Sequence, residues 1–290
     1  MLINYMSKLL KHPSETKGLA KKINIELNVM IVSYWRTGTT KLGLWFNENG
    51  FLFLDEPYSD FYQEYHYPRI DPITLTSRSV FIANKKIDTW MLNMIRHAPV
   101  PVCIKIQLPH IYNIYERTTL IDKVFLYNCF PNALCLYRKD VHEIVTSNLL
   151  AKIKNAWTSQ DVEKNKNYND PVTIPLNDYI DELKGLYRQW SEYIYVPSFT
   201  ANNEMWLTYE DDILPLQISK KQKPMPDKTK IIANWDELVN FYNENGAKDF
   251  NALTELVMDY RERTKDNWAV FKAKVENYGK LYKELEEKIT

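Results

Sequence analysis

Val29-Met30-Ile31-Val32-Ser33-Tyr34-Trp35-Arg36-Thr37-Gly38-Thr39-Thr40-Lys41-Leu42-Gly43-Leu44-Trp45-Phe46 begins as one kind of element and ends as another. Val29 to Tyr34 is a short apolar, β-branched run, the pattern of a buried strand. Arg36 to Thr40 is a turn rich in hydroxyls with a single glycine. Leu42, Leu44, Trp45 and Phe46 then predict a helix starting near Thr39 or Thr40. A strand that turns through such a loop into a helix makes an anion site, because the first N–H groups and the positive dipole end face whatever occupies the loop. Arg36 adds a cation and the threonines add donors. An ordinary βα turn with an N-cap threonine is the plainer alternative; a cation, a glycine and three hydroxyls within five residues favour the anion site.

Outward from this stretch, strand and helix patterns alternate. Phe51 to Leu54 predicts a second strand, closed by Asp55-Glu56-Pro57. Tyr58 to Tyr67 is rich in tyrosines and acids, and Pro68 to Ser79 reads as irregular. Asn84 to His97 predicts a helix, Val102 to Gln107 a third strand, and Ile111 to Phe125 another helix. Asn132 to Tyr137 predicts a fourth strand and Val141 to Trp157 its helix. Gln160 to Pro175 reads as a polar, mobile loop, a candidate lid or a disordered connector. A helix capped by Asn177 or Asp178 runs to about Tyr193, and Met205 to Tyr209 predicts a fifth strand. Lys220 to Lys230 reads as a charged linker and Trp235 to Asn243 as a short helix. The long helix from residue 253 to about 289 carries Trp268, Phe271, Val275, Tyr278 and Tyr282 at helical spacing. That stripe reads as core or as the seam of a homodimer.

The alternation predicts an α/β fold: a single domain over 1–290, with a mostly parallel five-stranded sheet covered by helices. Residues 1–24 read as an N-terminal arm or helix. The composition supports a sizeable core, with 45% apolar and 13% aromatic residues. Lys+Arg and Asp+Glu are both 37, so no global charge favours nucleic acid or an anionic membrane surface. Cys103, Cys129 and Cys135 have no C-x-x-C spacing and fit reduced thiols of a cytoplasmic protein. No apolar run reaches membrane-spanning length, and the five histidines show no metal-ligand spacing. In open α/β sheets ligands sit at the carboxyl ends of the strands. Arg36, Asp55, Glu56, Gln107, Arg138 and Glu210 all fall there, from five segments.

The common anion-loop motifs are absent. There is no G-x-x-x-x-G-K-[S/T] string, and no closely spaced set of three glycines. Tyr34-Trp35-Arg36-Thr37-Gly38-Thr39-Thr40 instead resembles the 5′-phosphosulfate loop of sulfotransferases that use 3′-phosphoadenosine 5′-phosphosulfate, with Trp35 where proline is usual. A second match follows the fourth strand. Arg138-Lys139-Asp140 is followed by Ser147, nine residues after the arginine; the family uses such an Arg and Ser for the donor's 3′-phosphate, and Thr146 is the eight-residue alternative. This spacing is closest to bacterial, carbohydrate-type members. Trp206-Leu207-Thr208-Tyr209-Glu210-Asp211 and Asp266-Asn267-Trp268 with Phe271 are weaker echoes.

The resemblance implies a P-loop-like sulfotransferase fold and metal-independent transfer of a sulfuryl group to a hydroxyl or amine of a carbohydrate or small-molecule acceptor. It implies that Arg36, Thr37, Gly38, Thr39, Thr40 and Lys105 hold the 5′-phosphosulfate, with Arg36 also catalytic, and that Arg138 and Ser147 hold the 3′-phosphate. Where cytosolic members carry a histidine base, this chain has Gln107, which has no useful pKa. Glu56 in Asp55-Glu56-Pro57 matches the carboxylate of bacterial members and is the preferred base, with Asp55 and His110 behind it. Tyr58 to Tyr67 reads equally as a sugar pocket or as surface packing. A P-loop-like phosphotransferase and a nucleotide-binding protein without turnover are the alternatives.

Overall fold

The computed structural model describes residues 27–56, 68–70, 77–79, 98, 100–107, 129–157, 159–195, 203–219 and 226–289. The arm at 1–24, the helices at 84–97 and 111–125, the Tyr58–Tyr67 stretch and His110 lie outside the described residues.

A five-stranded parallel sheet organises the described chain. Its strands are β1 (Val29–Ser33), β2 (Leu52–Leu54), β5 (Val102–Gln107), β6 (Asn132–Tyr137) and β7 (Asn203–Thr208), in the order β2-β5-β1-β6-β7. β3 (Pro68–Ile70) and β4 (Ser77–Ser79) form a separate antiparallel pair, where the sequence reads as irregular. The helices are α1 (Thr39–Glu48), α2 (Val141–Lys154), α3 (Ser159–Lys164), α4 (Leu176–Tyr195), α5 (Lys228–Ile231), α6 (Trp235–Phe241) and α7 (Ala247–Ile289).

β1, β5 and β6 are buried at every position, which explains their mostly apolar runs; their polar members, Ser33, Lys105, Gln107 and Asn132, are buried too. Alternate residues feed two cores. Val29 and Ile31 join Leu42, Trp45 and Phe46 of α1 on one face. Met30 and Val32 join Ile144 and Val145 of α2 and Leu186 and Trp190 of α4 on the other. α7 seals both faces. Its first half gives Phe250, Leu253 and Val257 to the α2–α4 side, and its second half gives Trp268, Phe271, Val275 and Tyr278 to the α1 side. Between them, Thr264 Oγ1 accepts the Trp206 backbone N–H at 2.9 Å, covering part of the open edge of β7. The Trp268–Phe271 stripe is therefore core.

The connections set the site. From β1 the chain passes through α1 to β2, on one side; from β6 it passes through α2 and α4 to β7, on the other. Adjacent β1 and β6 thus send their connections to opposite edges. This is a topological switch point, where ligands of open α/β sheets bind.

Two segments differ from their sequence reading. Gln160 to Pro175 is not a mobile loop: it holds most of α3, buries Tyr168 and Ile174, and pairs Val172 with Ile232 through two backbone hydrogen bonds of 2.8 Å. The tail of the Lys220–Lys230 linker is helical, with Asp227 capping α5 and Ile231 buried. Both depart because a few apolar anchors dock polar backbone onto the core, a tertiary effect that local composition does not reveal.

Candidate functional site

The loop after β1 has the strand–turn–helix form expected of it. Arg36 is left-handed at φ 64° and Gly38 at φ 84°, and Gly38 is the N-cap of α1 without any side-chain capping bond. The first N–H groups of α1 are thus left without the usual internal partner. A Cβ on Gly38 would lie 2.3 Å from Cδ2 of Tyr209, so the position requires glycine on two counts. Of the three threonines, Thr37 is spent inside the turn: its buried hydroxyl donates to the Tyr34 carbonyl at 2.8 Å. Its expected part in phosphosulfate binding is left to its backbone. Thr39 is buried and Thr40 exposed at the start of α1.

Behind the loop, Tyr34 is anchored through its hydroxyl, which donates to Glu182 Oε1 at 3.0 Å. Asn148 donates to the same oxygen, and Lys152 to Oε2 at 2.6 Å. Burial and the neighbouring carboxylate push the Tyr34 phenol far above its ordinary range, so it is a fixed donor.

Arg36 reaches sideways. Its Nη1 donates to the Trp157 carbonyl at 3.1 Å, and its guanidinium carbon lies 5.4 Å from the Trp157 ring centre. Its buried Nε has no hydrogen-bond partner, and among the described residues it makes no ion pair. Burial lowers its pKa, opposed by the nearby Tyr168 and Glu56.

Arg138 leaves the end of β6 and reaches the loop, where its Nη1 donates to the Arg36 backbone carbonyl at 3.2 Å. It lies 4.8 Å from the Tyr209 ring centre, and its Nη2 is 3.6 Å from Glu143. Asp140, the third residue of the Arg-x-Asp string, caps α2 by accepting the Glu143 N–H at 2.8 Å. The two hydroxyl candidates on α2 separate clearly. Thr146 is buried and bonded to the His142 carbonyl at 2.8 Å, whereas Ser147 is half-buried and one helical turn beyond Glu143.

The carboxylates after β2 turn onto a buried cation, Glu56 mostly buried and Asp55 partly exposed. Lys105, buried near the end of β5, lies 2.9 Å from Asp55 and 2.6 Å from Glu56. Gln107 donates to the same Glu56 oxygen at 2.9 Å and accepts from Ser33 Oγ at 3.2 Å. A polar chain thus crosses the carboxyl ends of β1, β5 and β2: Ser33, Gln107, Glu56, Lys105, Asp55. Burial alone lowers the Lys105 pKa, but Glu56 and Asp55 more than offset it and hold the ammonium charged. Lys105 is therefore committed to two carboxylates. Its expected contact with a 5′-phosphate would require it to exchange partners.

Lys228, at the start of α5, escapes the sequence reading, which leaves it in a linker. It lies 2.6 Å from Glu143 and is largely buried. Burial lowers its pKa; Glu143 opposes this, while Arg138 and Arg36 reinforce it. The one local signal was Asp227-Lys228-Thr229, a capping triplet in which Asp227 accepts the Thr229 N–H.

Among the described residues no helix is long and apolar enough to cross a membrane. Comparison with family models, with curated proteins and with solved structures finds no match.

Proposed function

We propose that the protein is a sulfotransferase with a P-loop-like fold, moving a sulfuryl group from 3′-phosphoadenosine 5′-phosphosulfate to a hydroxyl or amine of a carbohydrate or small molecule. One observation carries the reading: the Arg138 guanidinium bonds the Arg36 carbonyl across the switch point. The two segments that resemble the family's donor motifs, separate in sequence, meet there.

The residues fit a polyanionic nucleotide. The glycine-capped start of α1 and the buried Nε of Arg36 are donors without acceptors, and Arg138 and Lys228 add charge beside them, each held by a carboxylate. The donor would supply a sulfuryl group on a phosphate leaving group. Arg36 and the loop N–H groups would stabilise charge on the leaving phosphate as fixed donors. Arg36 serves only as a charged fork, never as an acid. Arg138 and Ser147 would hold the 3′-phosphate. Glu56 would accept the acceptor's proton, oriented by Gln107 and Lys105.

A second reading has its own support. Gln107 cannot act as a base, and the preferred carboxylate is engaged by a buried lysine. Both features suit a protein that binds the nucleotide without turnover.

Calorimetric titration with 3′,5′-adenosine bisphosphate and with ATP–magnesium tests the proposal, on wild type and on Arg138→Ala. Binding of the bisphosphate, weakened at least about tenfold in the variant, supports the donor site. Preference for ATP–magnesium, or no binding of the bisphosphate, overturns it. Turnover of the donor over an acceptor panel, lost in Glu56→Gln, then separates the enzyme from the non-catalytic reading.

A further inference from the structure

We propose that Glu143 is a resident carboxylate holding the place of a phosphate, and that Lys228 and Arg138 are the recognition pair that exchanges it for the ligand. The inference rests on the donor-binding reading above and adds to it a displaced group and a third cation.

Glu143 Oε1 is 2.6 Å from Lys228 Nζ and 3.6 Å from Arg138 Nη2. Arg138 in turn touches the Arg36 carbonyl. Arg138 and Arg36 both bear electrostatically on Lys228, so three cations from three distant segments share one neighbourhood, and Glu143 is the carboxylate common to Lys228 and Arg138. Burying a lysine beside two arginines is costly, and an apolar side chain would close the same space more cheaply. The arrangement makes physical sense if the cations receive a larger anion. The contacts are also incomplete: Arg36 Nε and Glu143 Oε2 are buried without hydrogen-bond partners, and Arg138 Nε has only Glu210 Oε1, at 3.9 Å and beyond hydrogen-bond distance. A phosphate has three acceptor oxygens where Glu143 offers one to this pair.

The displaced group has somewhere to go. Asp140-Val141-His142-Glu143 has the spacing of a capping box, and its first half is made, with Asp140 accepting the Glu143 N–H at 2.8 Å. In the second half, a glutamate at this position accepts the backbone N–H of the cap residue. Here the Glu143 side chain is turned to Lys228 and Arg138 instead. On release it can close the box on Asp140, so the exchange does not leave a bare carboxylate.

The ligand chemistry is a phosphate monoester with two charges. In the donor reading it is the 3′-phosphate; free phosphate offers the same chemistry. Dissociation constants for 3′,5′-adenosine bisphosphate, adenosine 5′-monophosphate and inorganic phosphate would be measured on wild type, Lys228→Met, Lys228→Arg and Glu143→Gln, each checked by thermal unfolding. The expected result is that wild type prefers the bisphosphate over the monophosphate by about tenfold or more. Lys228→Met should lose that preference while binding the monophosphate within about twofold of wild type, and Lys228→Arg should keep most of it. Glu143→Gln should bind the bisphosphate several-fold more tightly. Retained preference in Lys228→Met, or equal loss of both nucleotides, overturns the inference alone. So does unchanged or weaker binding in Glu143→Gln, which decides the matter if Lys228→Met fails to fold. A wild type without preference overturns the donor reading and the inference with it, and inorganic phosphate bound as tightly as the bisphosphate does the same.

Discussion

The Tyr209 ring lies against Gly38 so closely that a Cβ on the glycine would sit 2.3 Å from the ring's Cδ2 and 2.6 Å from its Cε2. The same ring lies 4.8 Å from the Arg138 guanidinium carbon. Tyr209, just beyond β7, thus touches the anion loop and the arginine that bonds it. Gly38→Ala should cost about 1–2 kcal/mol for the left-handed backbone alone, and more for the ring contact. Gly38→Ala/Tyr209→Ala should recover the contact part and not the backbone part. Thermal unfolding of the two single variants and the double variant gives the coupling; strict additivity would show that the contact does not matter.

Lys105 holds two carboxylates, Asp55 and Glu56, at the mouth of β2 and β5. Lys105→Met should destabilise by about 3 kcal/mol, because it removes a buried ammonium shared by two carboxylates. The wild-type pH dependence has a definite sign. The folded pKa of Lys105 is raised above its ordinary 10.5. Its stabilisation is therefore complete below that value and disappears as pH rises through the folded pKa. Denaturant unfolding above about pH 10.5 should show a loss in wild type that Lys105→Met lacks.

His142 works in the opposite direction. Its Nδ1 is 2.8 Å from the Tyr179 hydroxyl, its ring packs edge-on to Trp235, and its buried Nε2 has no hydrogen-bond partner. Burial lowers its pKa, while Asp140 and Glu143 oppose the shift and Lys228 adds to it. The unfolded chain then binds the proton more readily, so stability should fall as pH drops below the ordinary histidine value of about 6.5. Chemical denaturation at pH 7 and pH 5 should show a smaller difference in His142→Phe than in wild type; equal differences would remove His142 as the cause.

Thr37 and Ser147 should separate into two kinds of residue. The Thr37 hydroxyl closes the turn on the Tyr34 carbonyl. Thr37→Val should therefore cost about 1 kcal/mol of stability, with Thr37→Ser near wild type. Ser147 lies half-buried on α2. Ser147→Ala should leave stability within about 0.5 kcal/mol and weaken bisphosphate binding. Melting temperatures and titrations on both variants read the two effects independently.

Much of this architecture was legible. β5 and β6 have the predicted limits, because short, mostly apolar runs are bounded by Pro101 and Leu108-Pro109, and by Pro131 and Arg138, and leave few alternatives. α7 begins at Ala247, six residues before Leu253, because this first stretch has one large apolar anchor, Phe250, too little to show a period. The docking of residues 159–175 was hidden for a different reason. Tyr168 and Ile174 are isolated anchors in polar surroundings, and their burial depends on the distant pairing of Val172 with Ile232. Arg36 and Arg138 could be singled out because each follows a strand. Lys228 could not, since only the fold brings α5 beside Glu143. The role of Gln107 was half legible. Its inability to act as a base follows from its chemistry, but its place between Ser33 and Glu56 requires the alignment of β1, β5 and β2.

The central proposal is that the switch point between β1 and β6 recognises a nucleotide by phosphates at both ends of its ribose. The most direct measurement is the wild-type ratio of dissociation constants for adenosine 5′-monophosphate and 3′,5′-adenosine bisphosphate, taken at about 0.1 M salt so that only close charges contribute. A ratio of about ten or more is expected, as one additional charge-assisted phosphate contact supplies. A ratio near one would contradict it and leave the loop after β1 as a general anion site.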